Sequence, residues 1–189
     1  MASQVTVRHA NREDIPSILT LIQELADYEH ASDSVLATPE SLGKTLAFAP
    51  SNLVSPSNTT PSTGDAISAT RPARCLLLFP SAEAGMEPVG MALYFYNYST
   101  WRASAGIYLE DLYVRESERG KGYGGRLLSI LAKEVVDMEG ARLEWSVLKW
   151  NEPSIKFYEG PSVGAKAMDG WQTMRVDGEA LVKLAKKAE

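Results

Sequence analysis

The stretch from Arg115 to Leu131, RESERGKGYGGRLLSIL, carries four glycines within six residues, between an apolar strand-like run and an amphipathic helix. Glycine costs backbone entropy, so this density indicates that something must approach the bare backbone. Amide N–H groups that open a helix point at one spot, where the helix dipole adds about half a positive charge. Arg119 and Lys121 add positive charge. The stretch is therefore predicted to bind a phosphate-containing ligand.

Three phosphate-binding patterns compete for this loop. Gly120, Gly122 and Gly125 satisfy G-x-G-x-x-G, but too little sequence follows for a doubly wound dinucleotide-binding sheet. A nucleotide-binding P-loop is excluded because Arg115 stands where its first glycine should be. Residues 119–124 instead read R-x-x-G-x-G, at the end of a strand and the start of a helix. A glycine-rich turn without a ligand is the remaining alternative.

Hydrophobic periodicity surrounds the loop with alternating strands and helices. Strands are predicted at 4–8, 73–80, 88–99, 105–114, 141–148 and 171–176, and helices at 11–30, from Thr38, through Leu127–Met138, at 152–159 and at 177–189. The predicted helix caps are Asn11 or Asp14, Thr38 followed by Pro39, and Asp177. This alternation predicts a three-layer α/β or α+β domain.

The predicted strand 105–114, AGIYLEDLYV, has apolar residues on both faces, as expected of a central strand covered on both sides. Strict alternation places Asp111 on the face of Leu109 and Glu110 on the face of Leu112. From the strand alone, Glu110 is either a carboxylate paired with a lysine or a catalytic base.

At 189 residues the chain is predicted to form a single domain, 1–189, with an insertion at 50–72. In that insertion 13 of 23 residues are Ser, Thr or Pro, which predicts a flexible surface segment. The net charge of −5 and a pI of about 5.2 argue against a nucleic-acid-binding protein.

Cysteine and histidine are too few for several classes of site. Cys75 is the one cysteine and is predicted to be a buried structural residue, and His9 and His30 have no zinc-binding spacing. No metal is expected. The sequence lacks a signal-peptide pattern and any apolar run long enough for a membrane span, so a cytoplasmic protein without membrane contact is expected.

The R-x-x-G-x-G loop after EDLYV resembles the acetyl-CoA loop of the GCN5-related N-acetyltransferase (GNAT) superfamily. Within it, the chain is similar to the diamine (spermidine/spermine) and thialysine N-acetyltransferases. The resemblance runs from residue 4 to residue 187, interrupted at 50–72, and the matching stretches are IQELADYE, MALYFYNYSTW, YLEDLYV, RGKGYGGRLL, WNEPSIKFYE and, more loosely, GWQTMRVDGEALVKLA.

The resemblance implies a GNAT fold, a mixed sheet whose two central strands splay apart to admit the pantetheine arm of acetyl-CoA. It implies two groups of cofactor contacts. The first group is the end of the central strand together with the glycine loop, and the second is the start of the helix after the fifth strand. These residues are Leu112, Tyr113, Val114, Arg119, Gly120, Lys121, Gly122, Tyr123, Gly124, Gly125, Asn151 and Ser154.

For catalysis, the resemblance implies Glu110 as the base or ammonium-binding residue and Tyr158 as the general acid that protonates the departing thiolate. The implied substrate-binding residues are Asp27, Tyr28, Glu29, Glu110 and Asp169. One departure concerns the loop after Tyr158. Five residues, Glu159 to Val163, precede Gly164-Ala165 where the family has three, which puts the substrate specificity in doubt.

The expected activity is direct acetyl transfer from acetyl-CoA to a primary amine of a diamine or polyamine, a small cationic partner. The alternative within enzymes is acetylation of the side-chain amine of thialysine, lysine or a related amino acid. The alternative outside enzymes is an acyl-CoA-binding protein without transferase activity. The family generally forms homodimers, so a homodimer is expected.

Overall fold

The computed structural model describes residues 5–51, 64–81 and 85–188. The chain forms two compact units, Met1–Trp150 and Asn151–Glu189. The first unit contains the strands β1 (Thr6–His9), β2 (Ala73–Phe79), β3 (Gly90–Ser99), β4 (Ser104–Val114) and β5 (Leu143–Trp145), and the helices α1 (Ile15–Tyr28), α2 (Pro39–Thr45) and α3 (Tyr123–Asp137). The second unit contains the helices α4 (Glu152–Glu159) and α5 (Gly178–Ala185).

The strands form one mixed sheet in the order β1-β2-β3-β4-β5, with β4 and β5 parallel and the other pairs antiparallel. One face of the sheet packs on α1, where Ile18 and Leu21 join a buried cluster that includes Leu93 of β3. The next residue, Tyr94, points to the opposite face and donates a hydrogen bond to Glu134 of α3. The helices therefore cover both faces, and the predicted three-layer α/β architecture is confirmed.

Local sequence signals set the starts of the first two helices. The side chain of Asn11 caps a short turn, Arg12–Asp14, that leads into α1. Thr38 caps α2 by accepting a hydrogen bond from the backbone N–H of Ser41, with proline in the first turn, as predicted. Asp177 occupies the N-cap position of α5, but its side chain makes no capping hydrogen bond among the described residues.

The sequence prediction of a last strand at 171–176 is wrong, because these residues form no strand in the structure. Alternating side chains show only that a segment could have two faces, whereas a strand also needs a neighbour to share its ladder hydrogen bonds. The backbone N–H of Trp171 instead donates to the carbonyl of Met168, within a turn. The predicted strand 141–148 forms only over β5, Leu143–Trp145.

A β-bulge interrupts the pairing of β3 with β4. Leu93 pairs with Asp111 and the next residue, Tyr94, pairs with Leu109, so that Glu110 is the extra residue. Because Leu93 and Tyr94 face opposite sides of the sheet, Asp111 and Leu109 do too. The predicted alternation, with Asp111 and Leu109 on one face, is therefore wrong, since a bulge shifts the two-residue period.

Two hydrogen bonds join Phe48, which precedes the predicted insertion at 50–72, to Asp65 within it. The N–H of Asp65 donates to the carbonyl of Phe48 at 3.0 Å, and the N–H of Phe48 donates to the Asp65 carboxylate at 3.3 Å. Arg12 and Arg71 form ion pairs with the same carboxylate, at 2.7 and 3.1 Å. Residues 52–63 lie outside the described residues, so the flexibility of the insertion stays a prediction.

Candidate active site

The glycine loop between β4 and α3 has the backbone conformation that its sequence requires. Gly120 and Gly122 have φ angles of 78° and 80°, in the left-handed region that disfavours any residue with a Cβ. Gly122 is the N-cap of α3 and has no side chain to cap it. The N–H groups of the first helical turn, residues 123–125, therefore remain available to an anion.

Open space lies beside three glycines of this loop. A Cβ added at Gly120, Gly122 or Gly125 would meet no described atom within 4 Å. A phosphate group needs such a bare approach to bind several amides at once. The loop therefore fits the diphosphate of a nucleotide-containing cofactor.

The two cations of the loop have different partners. Arg119 donates through Nε to the carbonyl of Val114 at 3.0 Å, and its guanidinium lies 4.5 Å from the ring centre of Tyr28. Lys121 is exposed and forms a 2.8 Å ion pair with Glu118, which raises the pKa of its ammonium. The structure thus joins Arg119 to the end of α1, while Lys121 stays at the outer edge of the loop.

The edge of β4 that leads into the loop is only partly paired. Its parallel ladder with β5 runs over Ile107–Leu109 and stops there, among the described residues. Its other edge continues along β3 as far as Val114. Among the described residues, no strand pairs with this edge of β4 at Leu112–Val114, whose peptide groups were predicted to bind the cofactor.

The bulge places two consecutive carboxylates, Glu110 and Asp111, opposite one residue of β3. Burial and the neighbouring charges of Glu110 and Glu29 raise the pKa of Asp111 from 3.8 to about 6. Burial also raises the pKa of Glu29, at the end of α1. We name Glu29, Glu110 and Asp111 the acidic cluster. Three like charges crowded in this way favour a cationic ligand.

Asp111 is a candidate site residue that the sequence reasoning missed, because strict alternation placed it on the face of Leu109, opposite to that of Glu110. Two adjacent acids in an otherwise apolar strand were the available signal.

The predicted residues at the end of α1 lie in different surroundings. Hydrogen bonds from Ser32 and Gln23 lower the pKa of Asp27, which is exposed and already has these neutral partners. Tyr28 contacts both Arg119 and the indole of Trp150, with ring centres 6.2 Å apart in the second pair. Of the three, Tyr28 and Glu29 therefore connect to the loop and the acidic cluster.

The remaining predicted residues belong to the second unit. The Asn151 side chain accepts a hydrogen bond from the backbone N–H of Ser154 at 3.3 Å and so caps α4. Tyr158 lies one turn later on α4, with its ring 5.2 Å from that of Phe157. Asp169 lies in a turn that precedes Gly170. The capping role of Asn151 explains part of the WNEPS sequence.

Other sequence expectations bear on the class of site. Cys75 is buried, and burial raises the pKa of its thiol, so it is not an activated nucleophile. Residues 5–51, 64–81 and 85–188 contain no group of three or more His, Cys, Asp or Glu side chains arranged to hold a metal ion. Nor does any helix in those ranges combine the length and apolar character of a membrane span.

Known proteins resemble the chain over nearly its whole length. Residues 48–160 match the acetyltransferase (GNAT) family. A thialysine N-epsilon-acetyltransferase of Bos taurus is 33% identical over 190 residues, covering 97% of this chain and 98% of the relative. An L-ornithine N5-acetyltransferase of Arabidopsis thaliana is 32% identical over 202 residues, covering 95% and 87%.

The fold has relatives among solved structures. An integron cassette protein from the mobile metagenome of V. cholerae superposes with a TM-score of 0.69 at 24% identity, covering 98% of this chain and 99% of the other. At that identity the likeness concerns the fold alone.

Proposed function

The chain belongs to the acetyltransferase (GNAT) family and is an N-acetyltransferase, and from this premise we propose that it acetylates a primary amine of a diamine or polyamine. One observation carries the proposal. The bulge in β4 crowds Glu110 and Asp111 beside Glu29, directly ahead of the glycine loop. A cation-binding cluster and a phosphate-binding loop on one strand suit a reaction between an amine and a coenzyme A thioester.

Members of the family use acetyl-CoA as co-substrate, and the open, glycine-lined loop fits its diphosphate. The residues proposed to hold it are the peptide groups of Leu112–Val114, the loop Arg119–Gly125, and Asn151 with Ser154. Each charge-assisted hydrogen bond contributes about 1.5–3 kcal/mol, so three or four of them account for most of a micromolar affinity. When bound, acetyl-CoA supplies an acetyl group on a thiol leaving group.

The acidic cluster is proposed to receive the amine and take its proton. A primary amine with a pKa of about 10.4 is neutral at pH 7 in about one molecule in 2,500, so its deprotonation costs about 4–5 kcal/mol. Glu110, directly or through a water molecule, is the proposed base. Asp111, with its pKa of about 6, is proposed to share in binding the ammonium and in relaying the proton.

Tyr158 is proposed to protonate the departing thiolate, whose unperturbed pKa is about 8.5. Ser154 lies in the first turn of α4, the helix proposed to contact the cofactor, and Tyr158 lies one helical turn later.

A second candidate acceptor is the side-chain amine of an amino acid. It is favoured by the relatives named thialysine N-epsilon-acetyltransferase and L-ornithine N5-acetyltransferase, both above 30% identity. The acidic cluster favours the diamine, because the α-carboxylate of an amino acid adds a negative charge near three carboxylates. The substrate residues Asp27, Tyr28, Glu29 and Asp169 are proposed for either acceptor.

A coenzyme A release assay tests the proposal with diamines, spermidine, ornithine, lysine and thialysine as acceptors. We expect amine-dependent release of the thiol with diamines or polyamines as the preferred acceptors. Turnover of α-amino acids alone would exclude the diamine proposal, and release that does not depend on amine would exclude both.

In the same assay Tyr158→Phe should lower kcat by about 10²–10⁴ with little change in KM for acetyl-CoA. Tyr98→Phe is the matched control, because it removes an exposed phenol from the end of β3. If Tyr158→Phe behaves like the control, the general-acid assignment is wrong. The single domain, the homodimer and the cytoplasmic location stay predictions.

A further inference from the structure

The helices α1 and α3 end in the same backbone motif. At the end of α1, the N–H of Ala31 donates to the carbonyl of Ala26 and the N–H of His30 donates to Asp27. These two bonds define a Schellman motif, in which the residue after the cap is left-handed and usually glycine. Here that residue is His30, with φ of 59°.

At the end of α3 the equivalent residue is Glu139, with φ of 55°. The N–H groups of Gly140 and Glu139 make the two matching bonds, to the carbonyls of Val135 and Val136. Both helix ends therefore accept the cost of a side chain in a conformation suited to glycine.

The side chain of His30 makes a contact that accounts for its presence. Its imidazole stacks on the indole of Trp150, with ring centres 5.6 Å apart and ring planes inclined by 27°. Tyr28 approaches the same indole at 6.2 Å. Half of the Trp150 surface is nevertheless exposed to solvent. We name Tyr28, His30 and Trp150 the aromatic shelf.

The aromatic shelf adjoins both parts of the candidate site. Glu29 lies between Tyr28 and His30 in the chain, and its charge raises the pKa of Asp111. On the other side, the guanidinium of Arg119, in the glycine loop, lies over the Tyr28 ring. An acceptor whose reacting amine meets Glu110 and Asp111 would therefore extend past Glu29 toward Trp150.

Resting on the proposed function, we propose that the aromatic shelf selects the acceptor by binding its second ammonium on the exposed face of Trp150. His30 holds the indole in place by stacking on it and thereby acts as a positioning residue. The negative face of an indole attracts a cation and repels a carboxylate. The shelf and Glu29 together therefore favour a diamine over the amino acid that differs from it by one α-carboxylate.

Three acceptors with the same four-carbon spacing isolate the second charge. 1,4-Diaminobutane carries a second ammonium, 1-aminobutane lacks it, and ornithine adds an α-carboxylate. The measured quantity is the ratio of kcat/KM for 1,4-diaminobutane to that for each of the other two. Trp150→Leu should lower both ratios by about 2- to 30-fold, the range of a cation–π contact.

His30→Gly separates the ring from the backbone, because glycine suits the left-handed position. We expect it to lower the same ratios in the same direction while the thermal midpoint is unchanged or raised. Glu139→Gly is the matched control, since it makes the same backbone change at the end of α3. It should affect the thermal midpoint similarly and leave both ratios unchanged.

The outcomes separate this inference from the proposed function. If no variant changes the ratios while the native protein acetylates 1,4-diaminobutane, the role of the aromatic shelf is wrong and the proposed function stands. If the native protein acetylates none of the acceptors, the proposed function fails as well. If Glu139→Gly lowers the ratios as much as His30→Gly does, the effect is not due to the shelf.

Discussion

Two carboxylates on opposite faces of the same sheet have contrasting surroundings. Glu134 of α3 is buried and accepts hydrogen bonds from the hydroxyls of Tyr94, at 2.9 Å, and Tyr96. Asp111 of β4 lies on the other face, where burial, followed by the charges of Glu110 and Glu29, raises its pKa from 3.8 to about 6. One carboxylate has neutral donors around it and the other has like charges.

The difference is the one expected between a carboxylate that stabilises the packing and one that binds a ligand. Hydrogen bonds to both oxygens offset the cost of burying Glu134, so it contributes to the packing of α3 on the sheet. The crowding of Asp111 opposes folding at neutral pH, because a charged group is buried among charges of its own sign. Such a local conflict is expected where a protein binds a ligand of the opposite charge.

The largest expected effect is the loss of activity when one carboxylate of the acidic cluster is removed. Glu110→Gln should lower kcat/KM for the amine by about 10²–10⁴, because the proposed base is removed. Its thermal midpoint should stay the same or rise, because a like charge beside Asp111 is removed. Glu134→Gln, which removes a carboxylate from the opposite face, is the control and should change kcat/KM little. Equal losses of activity in the two variants would contradict the assignment of Glu110 as the base.

The second largest effect is a loss of stability when Glu134, on the opposite face of the sheet, is replaced. Glu134→Leu should lower the free energy of unfolding by about 2–4 kcal/mol, because the hydroxyls of Tyr94 and Tyr96 lose their common acceptor. Urea denaturation measures it. Glu134→Gln should lose less, because its amide oxygen still accepts one of the two bonds. A leucine variant as stable as the native protein would show that these hydrogen bonds contribute nothing.

The smallest effect is a gain in stability that depends on pH. The folded-state pKa of Asp111, about 6 against 3.8, means that folding takes up a proton between these values, so its burial costs at most about 3 kcal/mol above pH 6 and nothing below pH 3.8. Asp111→Asn should therefore be more stable than the native chain at pH 8 and equally stable near pH 4. Urea denaturation at the two pH values measures the difference.

His9 provides the opposite sign for comparison. Burial, followed by the charge of Arg74, lowers its pKa from 6.5 to about 4, so its contribution to stability is lost as the pH falls from 6.5 to 4. The free energy of unfolding of the native chain therefore depends on pH through both residues. Only the difference in this free energy between Asp111→Asn and the native chain isolates the contribution of Asp111. A difference that does not vary with pH would contradict the assigned burial of its charge.

The sequence was sufficient for the parts of the molecule that depend on local patterns. The caps of Asn11 and Thr38, the glycine loop and the central position of β4 all follow from residue types at short spacing. The sequence did not reveal the bulge at Glu110, because a bulge depends on the register between two strands. Nor could it assign Glu134, whose partners lie on β3, about 40 positions away in the chain.

The candidate site divides in the same way. The conformation of the loop Arg119–Gly125 could be predicted, because the left-handed positions of Gly120 and Gly122 require glycine. Asp111, His30 and Trp150 were not among the predicted site residues, because the roles proposed for them depend on tertiary contacts. The strand predicted at 171–176 failed for the related reason that pairing cannot be seen in one segment.

The paired contacts between Phe48 and Asp65 have a practical consequence for work on this protein. These two hydrogen bonds hold Phe48 next to Asp65, so the chain leaves the folded part and returns to it at neighbouring points. The entropy of closing a flexible loop grows only with the logarithm of its length. An affinity tag or a reporter peptide placed between positions 52 and 63 should therefore leave the acetyltransferase folded.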